Sequence, residues 1–318
     1  MHHSRPSVSQ DDSIFSEVGV RTEGDTWDIV SSVGVTALGV AAARALETAQ
    51  PDALVRDEYA ARFVAASGHA EMNRWLNDPA ALDDMPMPPV VMGYRSKFFD
   101  DHFAAAAAAG VRQAVILAAG LDARAYRLDW PAGTVVFELD QPKVLEFKRE
   151  VLADIDVRPA ADRREVAVDL RDDWPAALLD AGFDPSAPSA WSAEGLLPYL
   201  PGAAQDALFE RIQRLSAPGS RVATDMITDA TGLDRLADQE AEVMRRSPMA
   251  GINVTELFYT DERTDPDIWF AANGWTTESL SIPQLAERYE RALPELPEAL
   301  APLVDLTRYV TAVKPGKP

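Results

Sequence analysis

Two apolar runs in this chain of 318 residues end in residue types that can hold a nucleoside. The run "QAVILAAG" stops at Gly120, and "TVVFELD" stops at Asp140, 20 residues further on. In doubly wound folds a glycine turn followed at about that interval by an acid puts the carboxylate at the tip of the neighbouring strand. There it can accept both hydroxyls of a ribose. Asp140 also precedes the helical stretch "PKVLEFKREVLADI", so a plain helix cap is the competing reading.

A third run, "REVAVDL", again ends in an acid, Asp169, followed by Leu170. An adenine has an exocyclic amine to donate and a flat apolar face to cover, which these two residues supply respectively. A fourth run leads into "WSAEGLLPYLP", where Glu194 stands at the strand end. It can meet a ligand ammonium or the loop that carries it; alternatively, "GLLPYLP" is just an apolar turn before a helix. Acids at the ends of successive strands favour a ligand, because ligands of open α/β sheets bind beyond the carboxyl ends of strands.

The ligand class follows from what the glycine loop lacks. A nicotinamide dinucleotide needs G-x-G-x-x-G so that backbone can approach its pyrophosphate at a helix N-terminus. This loop offers A-A-G-L-D-A and sets Asp122 where the pyrophosphate charge would fall. S-adenosylmethionine (SAM) has no phosphate and bears a sulfonium cation, so the sign of Asp122 favours it. An NAD(P)-dependent oxidoreductase and a non-catalytic SAM-binding protein are the alternatives.

The elements that must position these residues fall into two regions. Residues 1–24 are polar and read as a flexible arm. From residue 25 to 110 the apolar spacing is helical, as in "LVRDEYAARFVAAS" and "GYRSKFFDDHFAAAAAAG". Residues 111–318 then alternate short apolar runs with helical stretches, the pattern of a parallel sheet with crossover helices. Strands are predicted at 113–119, 134–140, 164–170, 189–194, 220–227, 275–280 and 306–314, with a lid insertion at 229–266.

Composition limits the partners. A formal net charge of −21, with no basic cluster, repels a phosphate backbone and excludes nucleic acid. The longest mildly apolar run, "VGVTALGVAAARAL", is short for a bilayer and contains Arg44. The absence of cysteine removes disulfides and thiolate sites, and metal ligation is not expected. The N-terminus has no apolar stretch of the secretory kind, so a cytoplasmic protein is expected, its oligomeric state open and a monomer compatible.

In order, "LAAGLDARAYRL", "FELDQPKVLEFK", "VAVDLRDDW" and "AEGLLPYLP" resemble the leucine carboxyl methyltransferase family, closely its actinobacterial branch of SAM-dependent methyltransferases. The resemblance runs from about residue 25 to the C-terminus and includes "GYRSKFFDDHF". It implies an α/β, Rossmann-like class I methyltransferase: a seven-stranded, mostly parallel sheet with an N-terminal helical extension and a helical lid. It further implies that Arg95 contacts the methionine carboxylate, a task suited to a bidentate donor. Gly120 would lie under the methionine portion, Asp140 take the ribose, Asp169 with Leu170 the adenine, and Glu194 be the acid after the fourth strand. Ala118 departs from the usual first glycine of the loop, which is tolerable at negative φ.

The implied reaction is O-methylation of a carboxylate or hydroxyl on a small-molecule or carboxylate-bearing acceptor. A carboxylate is ionised at neutral pH and needs no base, whereas a hydroxyl does. None of the four histidines, His2, His3, His69 and His102, lies in a strand-end motif, which favours the carboxylate. Tyr199, Asn253 and Tyr259 are candidates for lining the acceptor side.

Overall fold

In a computed structural model of the protein the described residues are 33–78, 88–228, 258–259, 261–296 and 301–316. The expected arm at 1–24, most of the lid insertion at 229–266, and Asn253 lie outside them.

The run "QAVIL" forms β1 (Gln113–Leu117), buried along its whole length. Its side chains alternate between two covered faces, which is why it reads as a continuous apolar segment. Val115 and Leu117 join Phe137, Leu139 and Trp191 on one face, packed with Trp174, Leu178, Phe209 and Ile212. On the other, Ala114 and Ile116 meet Phe103 and Ala106.

The remaining strands are β2 (Val135–Asp140), β3 (Asp162–Ala167), β4 (Ser189–Ala193), β5 (Arg221–Ile227), β6 (Thr276–Ser281) and β7 (Thr307–Val313). They form one sheet in the order β3-β2-β1-β4-β5-β7-β6. Strands β1 to β5 pair in parallel, and β7 runs antiparallel to both β5 and β6. The order reverses direction between β1 and β4, so the crevice at the switch point opens beside the ends of those two strands.

Six strands stand within a residue or two of the predicted runs. The third begins earlier and stops earlier than the predicted 164–170. Pairing with β2 ends where Asp140 meets Ala167, and beyond it the Val168 N–H still reaches the Asp140 carbonyl at 3.0 Å. Asp169 and Leu170 thus belong to the loop after the strand, over the carboxyl edge.

Eleven helices flank the sheet among the described residues: α1 (Val33–Thr48), α2 (Ala60–Ser67), α3 (Ala70–Asn77), α4 (Pro89–Ala108), α5 (Arg124–Arg127), α6 (Pro142–Asp154), α7 (Trp174–Asp180), α8 (Gly202–Leu215), α9 (Pro266–Ala272), α10 (Ile282–Arg288) and α11 (Ala301–Leu306). Helix α4 starts with Pro89 in its first turn, where the missing N–H costs nothing, and Gly110 follows its end at φ 89°. Its first half packs Tyr94, Phe98 and Phe99 with Ala223 of β5, Tyr309 of β7 and Leu285 of α10. Its second half supplies Phe103 and Ala106 to the face of β1, so one helix spans the back of the crevice. Helix α1 packs with α2, α3 and Val151 and Leu152 of α6, and this cluster includes Leu121 and Ala123 of the glycine loop.

Candidate active site

The loop after β1 folds back on itself. Ala118 and Gly120 both have left-handed backbone, at φ 50° and 46°. Between them the Ala119 N–H donates to the Leu139 carbonyl at 2.9 Å, and Asp122 N–H donates to Ala119 at 2.8 Å. The condition under which alanine is readily tolerated at 118, a negative φ, is therefore not met. The chain has to reverse at once on leaving β1, and Ala118 takes the conformation that a glycine would take freely, at a cost of about 1 kcal/mol. A Cβ at Gly120 would touch Ala37 of α1 at an ordinary 3.7 Å, so glycine is needed there for its backbone rather than for space.

That reversal presents the Gly120 N–H to Asp140, whose Oδ2 accepts it at 2.6 Å, while Oδ1 accepts from the Gln141 N–H at 2.7 Å. The capping alternative fails, because the N-cap of α6 is Gln141 and no side chain caps that helix. Burial raises the Asp140 carboxyl, an effect opposed by the two N–H donors and Lys148. Two hydrogen bonds leave a carboxylate with acceptor capacity to spare, which suits a vicinal diol.

Asp169 accepts from the Gln141 side chain at 3.0 Å and from the Arg171 N–H and guanidinium at 2.6 to 3.0 Å. Burial pushes its carboxyl up, but the Arg171 bonds prevail and hold it below the usual range. Leu170 is half-buried against the main core. Gly120, Asp140, Asp169 and Leu170 thus share one edge across three adjacent strands.

Arg95, on α4, reaches the end of β4, where its Nε donates to Glu194 Oε1 at 2.8 Å. Asp225 of β5 lies 3.5 Å from the same Nε, and accepts the Gly195 N–H at 2.6 Å. Gly195 has φ 61°, and a Cβ there would overlap Arg95 Nη2. The guanidinium therefore occupies the space that a side chain at 195 would take. Among the described residues its Nη1 and Nη2 fork donates to no side chain or carbonyl.

Behind Arg95 lies a chain of buried charges that the sequence motifs do not announce. Arg124 bonds Asp100 of α4 at 2.7 Å, Glu194 at 2.7 Å and also Asp122; Arg127 bonds Asp100 at 2.6 Å. Burial works against each of these charges, and the opposite charges outweigh it. Arg124 and Arg95 hold the Glu194 carboxyl down, Arg124 above all holds Asp122 at about 2, and both arginines are raised. At Asp225 burial wins over Arg95, and the carboxyl is raised.

The role expected for Asp122 is therefore corrected. Its charge is matched by Arg124 within the protein, so it does not by itself repel an anion from the loop. Its neighbour Arg44 of α1 ties the same loop to the helical region, donating to the Leu121 carbonyl at 2.7 Å and to Asp57 at 2.9 Å.

Tyr199 ends a short 3₁₀ turn, Leu197–Tyr199, and its ring meets Phe258 edge-on at 5.2 Å. The Tyr259 N–H donates to the Pro198 carbonyl at 2.8 Å, and Tyr259 is otherwise exposed. The structure thus brings the 199 and 259 segments together just past β4. His102 lies elsewhere, buried in α4 beside Phe103. Burial, with Arg221 nearby, lowers it to about 3.

A sheet of this order, with one antiparallel strand inserted next to the last and a glycine loop and strand-end acids along its carboxyl edge, defines a Rossmann-like methyltransferase of the SAM-dependent class. The sequence profile of leucine carboxyl methyltransferase matches residues 37–213. A protein of Rhodococcus jostii named for SAM-dependent methyl transfer is 58% identical over 295 residues, covering 93% of this chain and 100% of that one. One of Mycobacteroides abscessus with the same kind of name is 54% identical over 298 residues, covering 93% and 97%. A solved methyltransferase structure from Thermobifida fusca shares the fold at TM-score 0.50 and 19% identity, covering 87% of this chain and 94% of that one. The chain belongs to the leucine carboxyl methyltransferase family and is a SAM-dependent methyltransferase. SAM is its cofactor, and the nicotinamide and non-catalytic alternatives fall.

The residues present fit that cofactor by their chemistry. An open guanidinium fork suits a carboxylate, and spare acceptors on a buried acid suit ribose hydroxyls. Among the described residues no helix is long and apolar enough to cross a membrane.

Proposed function

We propose that the enzyme methylates a carboxylate oxygen of a small acceptor, with the cofactor held by Arg95, Gly120, Asp140, Asp169, Leu170 and Glu194. In this reading the Arg95 fork takes the methionine carboxylate, Asp140 the ribose hydroxyls, and Asp169 and Leu170 the adenine edge and face. Glu194 faces the ammonium while fixing Arg95. Bound SAM supplies an activated methyl on a sulfonium, displaced in line by the acceptor oxygen. The helical region from residue 25 to 110 and the insertion at 229–266 would close over the core from 111 onward and shape the acceptor side, with Tyr199, Asn253 and Tyr259 lining it. The same reading keeps the enzyme in the cytoplasm and off nucleic acid.

One observation carries the choice of acceptor: apart from Asp140, which this reading gives to the ribose, the acids along the carboxyl edge are already committed. Asp122 and Glu194 are ionised against Arg124, Asp169 against Arg171, and Asp225 holds the Gly195 N–H. His102 is neutral and buried in the back of the crevice. Such a site favours an acceptor that arrives ionised.

The test transfers a radiolabelled methyl from SAM to an extract of small molecules and treats the product with mild alkali. A methyl ester releases its label as methanol; retained label would mean an alkali-stable product, an ether, amine, thioether or carbon-bound methyl, and would overturn the carboxylate acceptor. Calorimetry with SAM on Asp140→Ala tests the cofactor reading, since unchanged affinity would remove Asp140 from the site.

A further inference from the structure

The charges joined beneath the cofactor crevice do not balance. Three guanidiniums, Arg95, Arg124 and Arg127, are linked to four carboxylates, Asp100, Asp122, Glu194 and Asp225. The adjoining Arg44 is matched by Asp57 and Lys97 of α4 by Asp101, while Lys148, which also acts on Asp122, is paired with Glu138 at 2.8 Å and acts on Asp140, so none of the three supplies the missing cation. Glu194 is shared by Arg95 and Arg124, whereas Asp225 faces Arg95 alone at a looser 3.5 Å. Asp225, whose charge burial opposes and Arg95 and the Gly195 N–H sustain, is therefore the least matched acid of the chain, and it sits beside the open fork of Arg95.

The two ligands of a methyl-transfer cycle differ in the same quantity. SAM carries a carboxylate, an ammonium and a sulfonium and is a net monocation. S-adenosylhomocysteine (SAH) has lost the sulfonium charge with the methyl and is a neutral zwitterion. A site with one negative charge in excess attracts the first and is indifferent to the net charge of the second.

We infer that Asp225 is a positioning and discriminating residue: it seats Gly195 and the Arg95 guanidinium, and its surplus charge favours the cationic cofactor over the neutral product. The inference rests on the cofactor placement proposed above. Asp225 acts through Arg95 and through its field, and it forms no bond with the reacting atoms. Transfer of the methyl cancels the cation for which the site is charged, so chemistry itself weakens the hold on what must leave.

The test is calorimetry with SAM and with SAH on the wild type, Asp225→Asn, Asp225→Ser and Asp225→Glu. The Asn and Ser variants keep an acceptor near the Gly195 N–H but lose the charge. Each is expected to bind SAM about tenfold more weakly, the size of one partly screened charge interaction, and SAH within about twofold of wild type. Asp225→Glu keeps the charge and should keep the wild-type ratio of the two affinities. A purely structural role would weaken both ligands together, and that result, or no change in either, overturns the inference. Asp140→Ala in the same series separates the two levels: it should weaken SAM and SAH alike, and if it affects neither, the cofactor placement fails as well. Two neutral variants of different size keep the measurement open should one of them not fold.

Discussion

Replacing Arg124 by methionine tests whether the buried charge chain holds the site together. The guanidinium is 3% exposed and touches three carboxylates, yet the loss is not three times that of one pair. Asp100 retains Arg127 and Glu194 retains Arg95. Asp122 loses its guanidinium altogether while remaining buried. One orphaned buried acid costs about 3–5 kcal/mol, a large part of the 5–15 kcal/mol typical of a folded domain. At roughly 2–4 °C per kcal/mol, the melting temperature should fall on the order of 10 °C.

The pH dependence gives the sharper signature. In the wild type Asp122 is held at about 2, below its ordinary 3.8, so it contributes stability above pH 3.8 that is lost as pH falls toward 2. Without the Arg124 guanidinium the largest influence opposing burial is gone, and Lys148, Arg127 and the main-chain N–H of residue 124 oppose it less strongly; the carboxyl rises and protonates on mild acidification. Urea unfolding at pH 7 and pH 4.5 should therefore show a smaller gap between variant and wild type at the lower pH. Adding Asp122→Asn, which can still accept the Arg124 main-chain N–H now given at 2.6 Å, should restore roughly half of the loss. A gap below about 1 kcal/mol, a gap unchanged with pH, or a double variant no better than the single would refute the reasoning.

Two further substitutions probe neighbouring parts of the site. His102 is lowered to about 3 from 6.5, so the unfolded chain takes up a proton that the folded one refuses, and stability falls as pH drops below 6.5. His102→Gln should remove about 2 kcal/mol of acid destabilisation between pH 6.5 and 4.5, measured by urea unfolding, whatever its effect at pH 7. Gly195→Ala combines a left-handed φ of 61° with overlap on Arg95 Nη2. SAM affinity by calorimetry should fall by at least about tenfold, with a loss of only about 1–2 kcal/mol in stability. Equal affinity would show that the Arg95 fork is not the carboxylate donor.

The parts legible in the sequence were those with a local signature. Buried strands announce themselves as apolar runs, and Asp140, Asp169 and Glu194 stand out because each breaks such a run at its end. The third run misled by two or three residues, since Val168 remains apolar after its strand has left the sheet. Ala118 gave no sign of its left-handed backbone, because alanine does not advertise a positive φ as glycine does.

The charge chain was illegible for a different reason. Asp100, Arg124 and Arg127 sit on helices at spacings that read as solvated faces, and their pairing spans 24 to 27 residues, while Arg95 and Glu194 are 99 apart. Long-range pairs leave no periodicity. Asp225 was missed although it carried a local signal: in "RVATDMI" it is an acid inside an otherwise buried strand, and a buried charge asks for a partner.

The position of β7 has a consequence for how the molecule is made. It is the last described strand along the chain, yet it lies between β5 and β6, with Tyr309 opposite Asp225. As the chain leaves the ribosome, β5 and β6 are complete before the strand that joins them exists, and each exposes a hydrogen-bonding edge open to mispairing. A nascent chain halted before Thr307 carries every residue assigned to cofactor binding and still cannot close its sheet. The sheet is thus closed by a strand made after both of its neighbours, so β5 and β6 must wait, edges unpaired, for the segment that joins them.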